Sequence, residues 1–365
     1  MLFSIFKGMA RRTVYALALT VTAGTALAED GTSVTVLGSL AGQTSFRGSD
    51  MGGTSVAIAV NDDRYIVDFG RLWADHYYTS GLAAPGGPRN GFENIRAGFI
   101  THMHADHLID LSHLLLSGLL QGIGKNGPVP IIGPGPRGEA VPLSASLAEA
   151  PPEMNPENPY PGTESMIAQL INAYAAALND VIRDSGVVPP TEVFVPQDIK
   201  LPDDLPPPSA NVAPPMEPIL VYEDENVRVT AILVDHVPTY PSYAYKFETA
   251  DGTIVVSGDT AITDNLVKFV EGVDIWVNEA LSLTWLEEFL PSPRNANAEA
   301  LYHHIRVSHT PVEEIGPIAQ SAGVKKLVLY HLTSSDMTQQ DWMDEVSGFD
   351  GPVVVGFPLT RVSID

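Results

Sequence analysis

The sequence predicts an α/β protein in which two β-sheets are flanked by helices. Three features of the 365-residue chain indicate this class. Short β-type runs separated by turns begin near residue 33, the last third alternates helical and strand patterns, and polar clusters follow several apolar runs. Helices that cover packed sheets, with functional side chains at the strand ends, fit this order of elements.

The N-terminal segment has the pattern of a cleavable export signal. Three basic residues within the first twelve positions precede an apolar stretch over 14–27, and residues 26–28 form an Ala-Leu-Ala cleavage pattern. We expect a signal peptide over 1–28 and a mature domain over 29–365 that is periplasmic or secreted. An uncleaved anchor is the alternative, but the stretch is short for a membrane span. After cleavage we expect no stable membrane insertion, and the export route stays open between Sec and twin-arginine.

Composition limits the chemistry of any site. The chain contains no cysteine, which excludes disulfides and thiolate metal sites, so a metal would need His, Asp or Glu ligands. Removal of residues 1–28 takes away three basic residues and changes the formal net charge from −24 to −27. So acidic a surface repels phosphate backbones, and we expect no nucleic-acid partner. The same charge also fits a role in solubility alone.

The first third of the mature chain is predicted to form strands and a helix. The runs "SVTVLG", "GTSVAIAV" and "NDDRYIVDFG" predict strands, and the turn residues 61–63 predict a hairpin. The segment 108–122 has apolar residues at helical spacing and ends at Gly122. The run "VPIIGPGP" then predicts another strand.

Residues 137–218 are predicted to be an insertion on the main domain. Of the chain's 30 prolines, 20 lie between Pro128 and Pro218, which excludes a continuous sheet or helical bundle there. A helix is predicted over 163–186, capped by Thr163 and ended by Gly186. Its apolar stripe consists of Met166, Ile167, Leu170, Ile171, Tyr174, Leu178, Val181 and Ile182. Because this face needs a partner, we expect an ordered cap near the site rather than a disordered spacer.

The remaining chain returns to strands and then alternates with helices. The runs "ILVYEDENVRVTAILVDH" and "SYAYKFETADGTIVVSGDT" predict strands, with a hairpin turn at Asp251-Gly252. A helix pattern then precedes each of the strand patterns "VDIWVNEA" and "VKKLVLYHL". This order predicts strand ends that carry polar side chains.

The stretch "FITHMHADHLID", residues 99–110, contains four ligand-type side chains within six positions: His102, His104, Asp106 and His107. The cluster follows an apolar run, so it lies where a buried strand ends. Desolvating four such groups is costly unless a cation lies among them. The two histidines of the extended segment can share one ion, and the aspartate and histidine beyond the turn can reach a second.

This His-x-His-x-Asp-His pattern resembles the signature of the metallo-β-lactamase superfamily, a four-layer αββα sandwich with a one- or two-metal site. Further matches follow apolar runs in the order that the family has. They are Asp68 in "YIVDFG", His236 in "VDHVPTYPSYAYKF", Asp259 in "SGDT" and His331 in "LVLYHL". The resemblance implies this fold here, with Asp68 supporting the first metal ligands.

Within the superfamily, the chain resembles the ribonuclease Z branch, which includes arylsulfatase-like members. The tyrosine-rich strand after the third histidine, the S-G-D-T sequence and the start of the helix at "HTPVE" carry this resemblance. It implies two zinc ions per chain, and Mn²⁺ or Fe²⁺ suit the same ligands. The implied ligands of one ion are His102, His104 and His236. Those of the other are Asp106, His107 and His331, with Asp259 bridging both.

The resemblance also implies a catalytic set of Asp106, His309 and Glu313. His309 would protonate the leaving group, and Glu313 would orient His309. As an alternative, His309 is only a helix-start residue. His76 is expected either to line the pocket or to lie exposed, and His113 is expected to be a packed core histidine. The histidines at 303 and 304 receive no role.

Departures from the ribonuclease Z pattern decide the expected substrate. Those nucleases carry a long arm for transfer RNA between the third histidine and the bridging aspartate, whereas His236 and Asp259 are only 23 positions apart here. Together with export and acidity, this predicts a small-molecule substrate. We expect an exported dinuclear zinc hydrolase that uses a metal-bound hydroxide on small esters of the aryl sulfate or phosphodiester type.

Other functions remain compatible with the same residues. A lactonase, β-lactamase or hydrolytic dehalogenase would use the same metal site, and a non-catalytic periplasmic metal-binding protein would bind zinc without turnover. Aromatic residues in the predicted pocket loops favour an aromatic or apolar substrate for either enzyme. They are Trp73, Tyr77, Tyr78, Tyr240 and Trp285. The sequence leaves a homo-oligomer open.

Overall fold

A computed structural model describes residues 31–42, 49–143, 147 and 149–364 of the chain. The signal peptide predicted over 1–28 lies outside these residues and stays a prediction. Fourteen strands and eleven α-helices are present within the described part. A short 3₁₀ turn covers Gly118–Gln121.

Fourteen strands form two sheets of seven. The strands are β1 (Ser33–Gly38), β2 (Ser55–Val60), β3 (Asp63–Val67), β4 (Ile95–Phe99), β5 (Val129–Pro134), β6 (Phe194–Ile199), β7 (Ile219–Glu223), β8 (Arg228–Leu233), β9 (Tyr243–Glu248), β10 (Thr253–Val256), β11 (Ile275–Ala280), β12 (Lys326–Leu332), β13 (Val353–Val355) and β14 (Arg361–Ser363). The first sheet has the order β14-β1-β2-β3-β4-β5-β6, and the second has the order β13-β12-β11-β10-β9-β8-β7.

Each sheet has an antiparallel part and a parallel part. In the first sheet β14, β1, β2 and β3 pair antiparallel, and β3 to β6 pair parallel. In the second, β7 to β10 pair antiparallel and β10 to β13 pair parallel. The hairpins predicted at residues 61–63 and at Asp251-Gly252 are confirmed, since each joins two antiparallel neighbours.

Helices cover the outer faces of the sheets. They are α1 (Trp73–Thr79), α2 (Ala105–Leu108), α3 (Leu111–Leu116), α4 (Thr163–Ala173), α5 (Ala175–Ser185), α6 (Pro190–Val193), α7 (Asp264–Phe269), α8 (Leu283–Phe289), α9 (Ala296–Ser308), α10 (Val312–Ala322) and α11 (Gln339–Glu345). Within the described residues, no helix combines the length and the apolar character that crossing a bilayer requires.

Three apolar clusters show that the molecule has four layers. One cluster lies between the sheets and includes Phe99 and Tyr245. A second joins the second sheet to helices α7 and α10 through residues such as Leu266 and Ile315. The third joins the first sheet to α1 and α3 and includes Trp73. Burial of these faces is the main source of stability, and the predicted αββα sandwich is confirmed.

The segment 137–218 differs from its prediction in three details. Two helices, α4 and α5, replace the single predicted helix, because Tyr174 between them leaves the helical region at φ −101° and ψ 14°. Thr163 is the first helical residue rather than the cap, and its hydroxyl donates to the carbonyl of Pro134. Strand β6 pairs with β5 at the edge of the first sheet. Part of the predicted insertion is therefore built into the main domain.

Candidate metal centre

The polar residues predicted to bind metal meet at one end of the sandwich, where strands of both sheets end. Asp68 follows β3, the histidine cluster follows β4, and Asp259 follows β10. Asp68 and His331 have positive φ values of 62° and 46°, which are rare for residues other than glycine. Such strained conformations concentrate at functional sites, where the surrounding structure holds them in place.

The first candidate ligand group consists of His102, His104, His236 and Asp259. One potential ligand atom from each lies within 4.8 Å of all the others. The Nε2 atoms of His102 and His236 are each 3.7 Å from Oδ2 of Asp259. His104 Nδ1 lies 3.2 Å from His236 Nε2. Two imidazole nitrogens at this distance repel each other as lone pairs, unless a proton or a cation is shared between them.

The second candidate ligand group consists of Asp106, His107, His331 and again Asp259. His107 Nε2 is 3.3 Å from Asp259 Oδ1. His331 Nε2 is 3.1 Å from Asp259 Oδ2 and 3.4 Å from Asp106 Oδ2. Asp259 therefore has one carboxylate within reach of both groups.

Unsatisfied atoms indicate that these residues suit a cation. Within the described residues, Nε2 of His102, Nε2 of His107 and Oδ1 of Asp259 are buried and have no hydrogen-bond partner. Buried polar atoms without partners are rare in folded proteins because their desolvation is costly. Imidazole nitrogens and carboxylate oxygens are ligands that zinc and similar divalent ions accept. The donor set therefore fits metal binding.

A surrounding set of hydrogen bonds fixes which ring nitrogen faces the centre. Asp68 Oδ2 lies 2.8 Å from Nδ1 of His107, and its two oxygens also accept hydrogen bonds from the backbone and hydroxyl of Thr101. The carbonyl of Ser308 lies 2.9 Å from Nδ1 of His236. These contacts direct the Nε2 atoms of both histidines inward, as supporting residues do around metal ligands. Asp68 thus has the position that the sequence predicted for it.

The pKa values of the histidines report the charge balance of the centre. Burial lowers the pKa of His104 to about 4, so this ring is neutral and its lone pair is available. Burial also acts to lower the pKa of His107, but the carboxylates of Asp259, Asp106 and Asp68 raise it to about 10. The carboxylates of the centre therefore favour positive charge among them, which a bound cation would also supply.

Beside the ligand groups lies His309, the predicted acid, whose partner is not the residue that the sequence indicated. Glu313 is exposed in the first turn of α10, so its predicted orienting role is wrong. Instead, Oε2 of the fully buried Glu279, in β11, lies 2.7 Å from Nδ1 of His309. Burial would lower the pKa of His309, but Glu279 raises it above its usual value. In the sequence, Glu279 could have been recognised as a carboxylate near the end of the apolar run "DIWVNEA".

A cavity of about 300 Å³ opens onto the centre. His104, Asp106, Asp259, His309 and His331 line its floor. Its wall comes from helices α8 and α9 and is apolar, with Trp285, Phe289, Leu301 and Ile305. The rings of Trp285 and Phe289 stack at a centroid distance of 4.8 Å. The cavity therefore joins a polar, ligand-rich floor to an apolar wall.

Of the five aromatic residues predicted near the pocket, only Trp285 lines this cavity. Trp73 and Tyr77 belong to α1 and are fully buried, because this helix packs its apolar face against the first sheet. Tyr78 lies against Phe92. Their predicted pocket position is wrong. Tyr240 lines a neighbouring cavity that also contacts His104.

The remaining histidines lie in different surroundings. Nδ1 of His76 is 2.6 Å from the carbonyl of Leu37, away from the cavity. His113 is partly buried and packs edge-on against Trp73, as expected for a histidine in the core. His303 is exposed. His304 lines the cavity, although the sequence gave it no role.

Known proteins resemble the chain in sequence and in structure. No family model matches it. Ribonuclease Z of Mycobacterium sp. (strain KMS) is 25% identical over 315 residues, which cover 86% of this chain and 90% of that protein. The metallo-β-lactamase fold protein YhfI from Bacillus subtilis superposes with a TM-score of 0.54 at 17% identity, covering 91% of this chain and 99% of YhfI. The short form of human tRNase Z superposes with a TM-score of 0.56 at 20% identity, with coverage of 91% and 99%.

The chain has the metallo-β-lactamase fold of these structures. Together with the ribonuclease Z relatives, this similarity supports the metallo-β-lactamase superfamily and its ribonuclease Z branch, as the sequence motifs predicted. The ribonuclease Z relatives and the candidate ligand groups at the strand ends indicate a metal-dependent hydrolase.

Proposed function

We propose that this protein is an exported dinuclear zinc hydrolase of small esters of the aryl sulfate or phosphodiester type. One zinc ion would be held by His102, His104 and His236. The other would be held by Asp106, His107 and His331, with Asp259 shared by both. The membership of Asp259 in both candidate ligand groups is the observation that carries the proposal. Two ions in these groups would activate water and stabilise negative charge on the attacking and leaving oxygens.

The residues around the ligand groups divide the remaining work. His309 has 12% of its side chain exposed and lines the cavity, so a substrate can reach it. The Glu279 carboxylate raises the pKa of His309 above its usual value, a direction that favours the protonated ring and suits a group that protonates the leaving oxygen. Glu279 accepts from Nδ1 of His309 and thereby directs Nε2 away from itself. The apolar wall with Trp285 would hold an aromatic or apolar leaving group and exclude water.

We expect no nucleic-acid substrate for this protein, although the curated relatives carry the name ribonuclease Z. Two observations support this choice. The formal net charge is −24, and His236 and Asp259 are separated by only a hairpin, β9 and β10. A negative surface of this size disfavours association with a phosphate backbone.

A hydrolysis screen of the zinc-loaded protein tests the proposal. The panel contains an aryl sulfate, a bis-aryl phosphodiester, a lactone, a β-lactam, a chloroaromatic compound and a precursor transfer RNA. We expect turnover of the sulfate or the phosphodiester, and Asp259→Ala should abolish it. Turnover confined to the lactone, β-lactam or chloroaromatic would keep the metal site but change the bond that is cleaved. Turnover of the RNA alone would contradict the substrate class, and zinc binding without any turnover would contradict the enzyme.

Export is a separate part of the proposal. It rests on the basic and apolar N-terminal pattern and the Ala-Leu-Ala sequence over 26–28. Mass spectrometry of the protein recovered from the periplasm or medium should find a mature N-terminus at Glu29. Detection of the intact chain starting at Met1 in the membrane fraction would instead indicate an anchor.

A further inference from the structure

A second cavity of about 460 Å³ shares His104 in its lining with the first. Its lining comes from the loop after β4, the loop after β5, the start of α4 and the loop after His236. Met103, Arg137, Tyr160 and Tyr240 are among the lining residues. Because His104 lines both cavities, a molecule bound at the metal centre can extend into each of them.

Among the described residues, Arg137 is the one arginine or lysine that lines either cavity, and it is unusually buried, with 6% exposure. Its Nη1 donates to the carbonyl of Pro238 at 2.6 Å, and its guanidinium carbon lies 5.9 Å from the ring centre of Tyr240. Nε has no hydrogen-bond partner within the described residues. A guanidinium group has five N–H donors, so most of its donor capacity is not used by the protein.

The charge of Arg137 is also not neutralised by an ion pair within the described residues. Glu139 is the acidic residue that acts on it, but both oxygens of Glu139 accept hydrogen bonds from Ser209 instead. No aspartate or glutamate of the described residues lines this cavity. A charged group buried without a partner is costly, whereas a buried arginine that meets an oxyanion gains strong bidentate hydrogen bonds. The cavity therefore lacks the group that would complete it.

We propose that the cavity at Arg137 binds a non-reacting oxyanion, such as a carboxylate, on the half of the ester substrate that does not depart. This inference rests on the proposed function, because it assigns the two halves of the substrate to the two cavities. The leaving group lies in the first cavity, where His309 and the apolar wall are located. The retained half extends past His104 towards Arg137. The substrate class is then an ester with an apolar leaving group and a second, remote negative charge.

A pair of synthetic substrates tests this assignment. Both are nitrophenyl phosphodiesters with the same alkyl chain on the retained side, which ends in a carboxylate in one and in the corresponding primary amide in the other. We expect kcat/KM for the carboxylate to exceed that for the amide by about 10- to 100-fold, as charge-assisted hydrogen bonds allow. In Arg137→Gln the two values should become equal through loss of activity on the carboxylate only. Arg137→Lys should keep part of the preference, because it keeps the charge but not the planar fork.

The control and the contrary outcomes separate this role from a structural one. Arg183→Gln removes the same charge at an exposed position on α5 and should keep the full preference. A wild-type enzyme with no preference would overturn the inference, as would Arg137→Gln losing activity equally on both substrates. If neither diester is hydrolysed, the phosphodiester part of the proposed function fails, and calorimetric titration of wild type and Arg137→Gln with the same pair decides the inference. Binding of the carboxylate only by the wild type supports it, and equal binding of both compounds overturns it.

Discussion

The two ends of the sandwich surround their carboxylates in opposite ways, since Asp224 is half-buried and Asp259 is buried. Strands β3 and β8 both run from the end that contains Asp224 to the end that contains the candidate metal centre. Asp224 accepts hydrogen bonds from the hydroxyls of Tyr65 and Tyr222 at 2.8 and 2.7 Å, and from two backbone amides. Asp259, at the other end, is surrounded by imidazole rings and has an oxygen without a hydrogen-bond partner in the described part of the chain.

This difference distinguishes a structural carboxylate from one that belongs to a functional site. Neutral O–H and N–H donors of the chain satisfy the carboxylate of Asp224, so this end needs no bound ion. The other end concentrates groups whose mutual arrangement is favourable only with a cation among them. Substitutions at the metal end should therefore change metal content and turnover, whereas substitutions at the Asp224 end should change stability alone.

The largest effect is expected from Asp259→Ala. This change removes the one carboxylate that both ligand groups share, so at least one ion should be lost. Turnover should fall by about 10⁴-fold or more, because metal ions supply several kcal/mol of transition-state stabilisation. Elemental analysis and the ester assay measure the two effects, with Asp224→Asn as the matched control. A fully loaded Asp259→Ala protein would remove the residue from the centre.

His309→Ala should slow turnover by about 10²–10⁴-fold without changing metal content. His309 lines the cavity and belongs to neither of the two four-residue groups that share Asp259. It lies instead in a third candidate group with Glu279 and His331, in which Glu279 holds it in place. The loss should be smaller for nitrophenolate leaving groups, which depart without a proton. The test compares good and poor leaving groups in the same variant. Equal losses on both would indicate a positioning role, and loss of metal would make His309 a ligand.

The contrast between His309 and its partner shows what the sequence could predict. The four ligand-type residues over 102–107 stand close together in the chain, and the remaining candidate ligands end apolar runs, so their convergence follows from the strand pattern. Glu313 is near His309 in the sequence, and Glu279 is near it in the fold. Only the directions of β11 and α10 decide which of the two carboxylates faces the His309 ring. This choice depends on tertiary packing, which the local sequence does not determine.

The aromatic residues illustrate the same limit for the cavity. Trp73 and Trp285 both follow strand ends and both begin short helices, so the sequence gives them similar surroundings. Helix α1 turns Trp73 into the core, whereas α8 turns Trp285 towards the centre. The strands and the hairpins could be predicted because they depend on local turns and alternating apolar residues. The wall of a pocket depends on how two helices pack after the sheets have formed.

A smaller effect is expected for Asp68→Ala. Asp68 contacts His107 without belonging to either ligand group, so it positions a ligand rather than binding metal. Loss of such a partner typically lowers metal affinity by about 10- to 100-fold. Competition with a chelator measures the affinity, and excess zinc should restore most of the turnover. Asp63→Ala, at the opposite end of the same strand, is the control, and equal affinities in the two variants would contradict the assignment.

The smallest effect on function, and a purely structural one, is expected for Asp224→Asn. Burial acts to raise the pKa of Asp224, but the hydrogen bonds from Asn226, Tyr222, Tyr65 and Val227 outweigh it and lower the pKa below its usual value. A carboxylate that accepts several such bonds is worth roughly 1–3 kcal/mol, so the free energy of unfolding should fall by about that amount. Metal content and turnover should stay at wild-type values.

The pH dependence gives this last prediction its sign. Because the folded pKa of Asp224 is lowered, its contribution is fully present above the unfolded carboxyl pKa of about 4 and is lost as the pH falls through the folded pKa. Urea unfolding of wild type and Asp224→Asn should therefore converge as the pH is lowered. Glu225→Gln, which removes an exposed ion pair with Arg96, is the control and should change stability by less than about 1 kcal/mol. A stability difference that is independent of pH would show that the charge of Asp224 is not what its donors stabilise.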